Sequence, residues 1–257
     1  MNNNSAKQIG FKPVFDYEQL MRIAREQADN YRSASPFPHI VIDNFISEDL
    51  VDRILAVFPD LKARKGQTPD TVLLDDGTSP QPHKRWLSNQ IGVDMLLKQL
   101  YWEMNSADFL QFIEKLTGIE QLIPDPHLNG AGVHDTKKDG LLMVHADFNK
   151  HPLFNLDRRI NILIYLNKDW PDAYGGHLEL WSKDMRKMEQ KVAPLAGRCV
   201  IFSTLRDSFH GHPHPLSCPP DRSRKSIALY YYTKGRPADQ DPSPHPTLWQ
   251  KTPELEN

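Results

Sequence analysis

Cysteine is scarce in this sequence: Cys199 and Cys218 are the two in 257 residues. Two thiols make no disulfide framework, so the fold must rest on its own core, and a reduced, cytoplasmic compartment is the expectation. Long apolar runs are missing as well, and none reaches the length of a membrane-spanning helix. The opening "MNNNSAKQIG" carries no hydrophobic signal core. Positive charge is not in excess either. The formal net charge is −2, with 25% charged residues, which gives no basic footprint for nucleic acid or anionic lipid. Neither nucleic acid nor membrane is therefore expected as a partner; oligomeric state is not encoded in these features.

What is present is 39% hydrophobic sequence, enough for one sizeable core. "DYEQLMRIAREQADNYR" (16–32) repeats Leu20, Ile23, Ala24 and Ala28 at helical spacing. "PFPHIVIDNFI" reads as a strand. "SEDLVDRILAVFP" reads as a helix capped by Ser47 and stopped by Pro59. Residues 61–90 read as loop with a short strand at "TVLL", and "VDMLLKQLYWEMNSADFLQFIEKLTG" as one long or two shorter helices ended by Gly118. From about 125 the texture changes to short strands, at 141–147, 159–166, 177–181, 198–203 and 224–232. Beyond Pro237 the chain is proline-rich and reads as irregular. Helices first and strands second suggest an α+β fold, with N-terminal helices packed on one face of a β core.

Strand side chains alternate between two faces, so the content of each face is informative. In "LLMVHAD", Leu141, Met143, His145 and Asp147 share one face. In "RRINILIYLN", Ile160, Ile162, Ile164 and Leu166 form an apolar face, opposite Arg159, Asn161, Leu163, Tyr165 and Asn167. In "RKSIALYYY", Arg224, Ser226, Ala228 and Tyr230 oppose Ile227 and Leu229. Apolar residues among the polar ones argue for an enclosed, partly polar interior, as in a small barrel or jelly roll holding a ligand.

His145 and Asp147 alone are a weak metal signal. "DSFHGHPHPL" adds His210, His212 and His214, and two imidazoles with one carboxylate form the facial triad of non-haem Fe(II) oxygenases. All three histidines qualify by parity. Pro213 and Pro215 imply that regular strand ends early, which favours His210. A zinc site remains open on the triad alone. Arg224, with Ser226 on its face and a tyrosine such as Tyr165 nearby, suits a carboxylate held bidentately in a dry pocket. That is what the distal carboxylate of 2-oxoglutarate requires.

With these residues in place, the chain resembles the Fe(II)/2-oxoglutarate-dependent dioxygenase superfamily in its prolyl-4-hydroxylase-like branch. The resemblance is carried by His145-Ala146-Asp147, by Ser208-Phe209-His210-Gly211, by Arg224-Lys225-Ser226, and by "IYLNKDW" followed by "GGHLELW". It extends upstream through "DPHLNGAGVH" and "PFPHIVIDNFI". It implies a double-stranded β-helix (jelly-roll or cupin-like) core at about 125–236, inside a single Fe(II)/2-oxoglutarate domain at 36–236. Residues 1–35 would be a helical extension and 237–257 a tail. It also implies His145, Asp147 and His210 as Fe(II) ligands, Arg224, Ser226 and Tyr165 as binders of 2-oxoglutarate, and O2 as the oxidant. The implied reaction is hydroxylation of an unactivated C–H on an amino-acid-like small molecule or peptide, with release of succinate and CO2. A carboxylate at Asp147 favours hydroxylation over halogenation. The competing expectations are a divalent-metal hydrolase or isomerase on a cupin-like barrel, and a non-catalytic metal- or ligand-binding sensor.

The remaining polar residues have weaker readings. His134 and Asn161 are candidates near the iron-binding end of the cosubstrate, with a structural hydrogen bond as the simpler role. Asn149 reads either as a turn former or as support for the ligands. Arg158 and Arg159 read as a surface pair, and His212 and His214 as a polar rim. Trp170 and Trp181 read as packing, and "PHKRWLSNQ" (82–90) as a surface loop or a lid.

Overall fold

Each of the four α-helices among the described residues of the computed structural model begins on a side chain that accepts a hydrogen bond from its own first turn. Asp16 caps α1 (Tyr17–Ser33), Ser47 caps α2 (Glu48–Ala56), Asp94 caps α3 (Met95–Met104) and Ser106 caps α4 (Ala107–Thr117). Ser106 is why the third helical stretch is two helices. Gly118, at φ 73°, closes α4 by returning its N–H to Glu114. The structure describes residues 13–61, 73–88, 92–240 and 243–253. None of the helices described is long and apolar enough to cross a membrane.

The strands are β1 (His39–Ile42), β2 (Lys84–Leu87), β3 (Ile123–Pro124), β4 (Gly132–Lys137), β5 (Leu142–Ala146), β6 (Asp157–Tyr165), β7 (Leu178–Trp181), β8 (Met188–Val192), β9 (Cys199–Ser203), β10 (His210–His212), β11 (Ser223–Thr233) and β12 (Leu248–Trp249). They form two antiparallel sheets. The larger runs β1-β9-β6-β11-β4-β2, with β3 also on β11; the smaller runs β12-β5-β10-β7-β8. Ile160, Ile162, Ile164, Ile227 and Leu229 point outward from the large sheet into one core with Leu20, Val51, Leu97, Leu100 and Phe112 of the helices. Each such fully buried side chain contributes roughly 1.5–3 kcal/mol. The other face of that sheet turns toward the small sheet, and residues of both line a cavity of about 380 Å³. This is the α+β, double-stranded β-helix arrangement, with helices on one face.

Several local expectations change. β2, β4 and β8 were not anticipated as strands, and the 82–90 stretch is not a free lid, because Lys84–Leu87 pairs along β4. Residues 71–72 of "TVLL" lie outside the described residues, and Leu73 and Leu74 are in no strand. The tail is not wholly irregular, since β12 pairs with β5, Trp249 opposite His145. α1 is part of the core: Leu20, Ala24 and Tyr31 are buried in it, and the Tyr31 hydroxyl meets Ser203 Oγ at 2.8 Å.

Candidate active site

β5 and β10 pair antiparallel with His210 opposite His145, so two imidazoles of the small sheet project from adjacent positions into the cavity. Gly211 permits this closeness. A Cβ there would stand 2.8 Å from the carbonyl oxygens of Leu142 and Met143, which accounts for the glycine following His210. His145 Nε2 is 3.6 Å from Asp147 Oδ1, and His210 Nε2 is 3.6 Å from Asp147 Oδ2. One donor atom from each of the three lies within 4.8 Å of the others, all buried.

Backbone carbonyls orient both rings. His145 Nδ1 donates to Met143 O at 2.8 Å, and His210 Nδ1 to Ser208 O at 2.9 Å. A carbonyl only accepts, so Nδ1 carries the proton and Nε2 keeps its lone pair toward Asp147. Burial, together with His145, draws His210 down to about 4, leaving a neutral imidazole at neutral pH. Burial would raise Asp147, but the charge around it, the Arg158 guanidinium foremost, holds the carboxyl well below the usual range. Two oriented imidazoles and one ionised carboxylate are a donor set that fits a divalent ion with open positions.

Arg158 is the residue the sequence most concealed. Expected at the surface, it is 1% exposed. Its Nη2 lies 3.0 Å from Asp147 Oδ2 and donates to Asn161 Oδ1 at 3.0 Å, while Asn161 Nδ2 donates to Asp147 Oδ2 at 2.9 Å. Its guanidinium carbon stands 3.4 Å from the Tyr230 ring centroid and 4.6 Å from that of Phe148. The cause is a β-bulge: Tyr231 faces Ile160 but Tyr232 faces Arg158, leaving Arg159 as the extra residue. The bulge moves Arg158 onto the inner face that alternation had assigned to Arg159. Arg159 instead donates to Thr233 Oγ1 and Gln240 Oε1, away from the cavity.

At the other end of the cavity Arg224 is 5% exposed. Its Nε donates to Gly176 O at 2.7 Å and its Nη2 to the Tyr165 hydroxyl at 3.3 Å. Gly176, at φ +73°, leaves the space this needs, because a Cβ would come within 2.9 Å of Arg224 Cδ. Among the described residues no carboxylate pairs with this guanidinium. Ser226 lines the cavity beside it, and Tyr165 stands behind it with its hydroxyl on the guanidinium. Five of the six residues singled out from sequence thus line one cavity, and the sixth, Tyr165, meets it through Arg224.

The other histidines also need correction. His212 is not a rim residue: it is 2% exposed, lines the cavity, and has no partner on either ring nitrogen. His214, by contrast, is exposed, 3.5 Å from Glu179. His134 lines the cavity with Nε2 unpartnered. Asn149 serves the tail, donating to Ser243 O and accepting from His245 N–H. Trp249 packs its ring 4.9 Å from that of His145 and lines the cavity. Trp170 and Trp181 bond Gly175 O and Glu179 and have structural roles. Cys218 is fully buried.

Comparison with known proteins agrees with this geometry. Residues 131–232 match the 2OG-Fe(II) oxygenase superfamily. The chain shares its fold with a prolyl hydroxylase from Trichoplax adhaerens, solved with a hypoxia inducible factor peptide fragment (18% identity, TM-score 0.59, 84% of this chain and 91% of that one). It shares it also with a prolyl-4-hydroxylase from Pseudomonas putida (17%, 0.56, 82% and 100%), and with HygX from Streptomyces hygroscopicus bound to nickel, 2-oxoglutarate and hygromycin B (12%, 0.52, 87% and 96%). No curated protein matches the sequence.

Proposed function

We propose that this oxygenase domain is an Fe(II)- and 2-oxoglutarate-dependent hydroxylase acting on an unactivated C–H of an amino-acid-like or peptidyl substrate. One observation carries the reading. A buried His-Asp-His cluster and a buried arginine that has no carboxylate partner among the described residues face the same cavity. His145, Asp147 and His210 would hold Fe(II). Arg224, Ser226 and the Tyr165 hydroxyl would hold the distal carboxylate of 2-oxoglutarate. When bound, iron and 2-oxoglutarate supply the oxidation: 2-oxoglutarate and O2 become succinate and CO2, and the second oxygen atom enters the substrate C–H as hydroxyl.

The protein's own work is to position, charge and exclude. Arg158 and Asn161 keep Asp147 ionised and fix which oxygen faces the histidines. The carbonyls of Met143 and Ser208 fix the imidazole tautomers. Tyr165 and Gly176 hold the Arg224 fork in place before a ligand arrives, so less ordering remains at binding. Tyr230, Trp86 and Trp249 wall the cavity with aromatic surface, which suits an organic substrate and limits water. The amino-acid or peptide class is supported by the likeness of fold to prolyl hydroxylases, one of them solved with a peptide.

The test is succinate release from 2-oxoglutarate by the Fe(II)-loaded protein, screened over amino acids and peptides, with mass spectrometry for one added oxygen. The reading expects stimulated succinate and an oxygenated product, both lost with a chelator. Turnover of a substrate in the absence of 2-oxoglutarate would instead favour a metal hydrolase.

A further inference from the structure

Lys84, Thr136 and Arg224 stand side by side across β2, β4 and β11, and one row on Trp86, His134 and Ser226 are aligned in the same way. Residues two apart share a sheet face, and Lys84, Trp86, His134, Ser226 and Arg224 all line the cavity. Lys84 is 8% exposed. Its ammonium lies 5.0 Å from the Trp86 ring centroid, and among the described residues no carboxylate pairs with it. Close by, His134 Nε2 and both nitrogens of His212 are buried without a hydrogen-bond partner. These unpartnered ring nitrogens leave hydrogen-bonding capacity facing the cavity beside Lys84.

A buried ammonium with no counter-ion is unfavourable unless a ligand supplies one. The distal carboxylate of the proposed cosubstrate does not account for it. Within that reading, on which this inference rests, Arg158 offsets Asp147. The distal carboxylate already has Arg224, Ser226 and Tyr165. Lys84 and its two unpartnered imidazole neighbours are left over.

We propose that Lys84, supported by His134 and His212, is a second carboxylate-binding group of the cavity, taking a carboxylate other than the one Arg224 holds. That carboxylate comes either from the 2-oxo acid end of the cosubstrate or from the substrate, which would then be an anionic, carboxylate-bearing molecule or residue.

The experiment uses the full chain loaded with Mn(II) without oxygen, so that nothing turns over, and compares wild type with Lys84→Met and Lys84→Arg. Calorimetry measures 2-oxoglutarate binding. Paramagnetic relaxation of methyl protons then reports acetate, or its neutral isostere acetamide, near Mn(II) in the 2-oxoglutarate complex. Weakening of 2-oxoglutarate by tenfold or more in Lys84→Met, recovered in Lys84→Arg, assigns Lys84 to the cosubstrate. If 2-oxoglutarate changes by less than twofold, the substrate source requires acetate to be relaxed more than acetamide in wild type, with that difference lost in Lys84→Met. The proposal is overturned if 2-oxoglutarate binding is unchanged and acetate behaves like acetamide, or behaves identically in wild type and Lys84→Met. Lys84→Gln repeats the comparison if Lys84→Met does not fold. Wild type that fails to bind 2-oxoglutarate at all would remove the oxygenase reading itself, a result distinct from an unaffected Lys84→Met.

Discussion

At the end of the cavity near Asp147 the one buried carboxylate has a guanidinium and an amide on it. At the end near Arg224 two buried cations have no carboxylate among the described residues. Both ends are polar and lined by buried side chains, yet only the first is electrostatically closed by the protein. The first end is built to fix the charge and orientation of its own groups, as a metal site needs. The second keeps cations whose partner must arrive from outside, as an anion site needs. Buried charge of the first kind rigidifies; of the second kind it selects a ligand at a cost in stability.

Substitutions sharpen this contrast. The largest effect is expected from Asp147→Ala, which removes a proposed ligand and strands Arg158. Metal affinity should fall by more than about 100-fold, with loss of succinate formation, read by calorimetry and by product assay. Next is Arg224→Met. It should weaken 2-oxoglutarate by about 2–4 kcal/mol, roughly 30- to 1000-fold in Kd, while metal affinity measured without 2-oxoglutarate stays the same. Arg158→Met breaks the closed pair and should cost about 3 kcal/mol in urea unfolding, with metal affinity lowered about 10-fold or more.

Lys84→Met should do the reverse at the open end. Burial, with Arg224 nearby, pulls Lys84 down to about 8 from an ordinary 10.5. Below pH 8 the ammonium is charged in both folded and unfolded chains, and the full cost of burying it is present. As pH rises from about 8 toward 10.5 the folded chain is already neutral and the cost fades. Lys84→Met is therefore expected to unfold about 1–3 kcal/mol later than wild type at pH 7, with the gain shrinking above pH 8. A loss of stability at pH 7 would mean that Lys84 has a counter-ion after all.

Much of the fold was legible because apolar alternation and caps are local. Ile160–Ile164 and Ile227–Leu229 marked their strands, and Ser47 marked its helix. β4 was not legible, because "GVHDTK" places His134 and Thr136 toward a polar cavity and lacks an apolar stripe. β2 was hidden for a similar reason, with Lys84 facing inward. The candidate ligands were legible as motifs, since strand parity holds for His145, Asp147 and His210. Parity failed at Arg158, because a bulge is a property of two paired strands and leaves no mark in one of them. His212 was misread from the prolines beside it. Those prolines do end β10, but only after His212 has turned inward. Trp249 lay in a proline-rich tail whose pairing with β5 depends on tertiary contact.

The central claim is that the His-Asp-His cluster and Arg224 are two ends of one binding site. Calorimetry of 2-oxoglutarate into wild type and Arg224→Met, each with and without Mn(II) and free of oxygen, tests it most directly. Removing either the metal or the guanidinium should weaken 2-oxoglutarate by at least about tenfold. Binding of 2-oxoglutarate that is indifferent to the metal, or to Arg224, would contradict it.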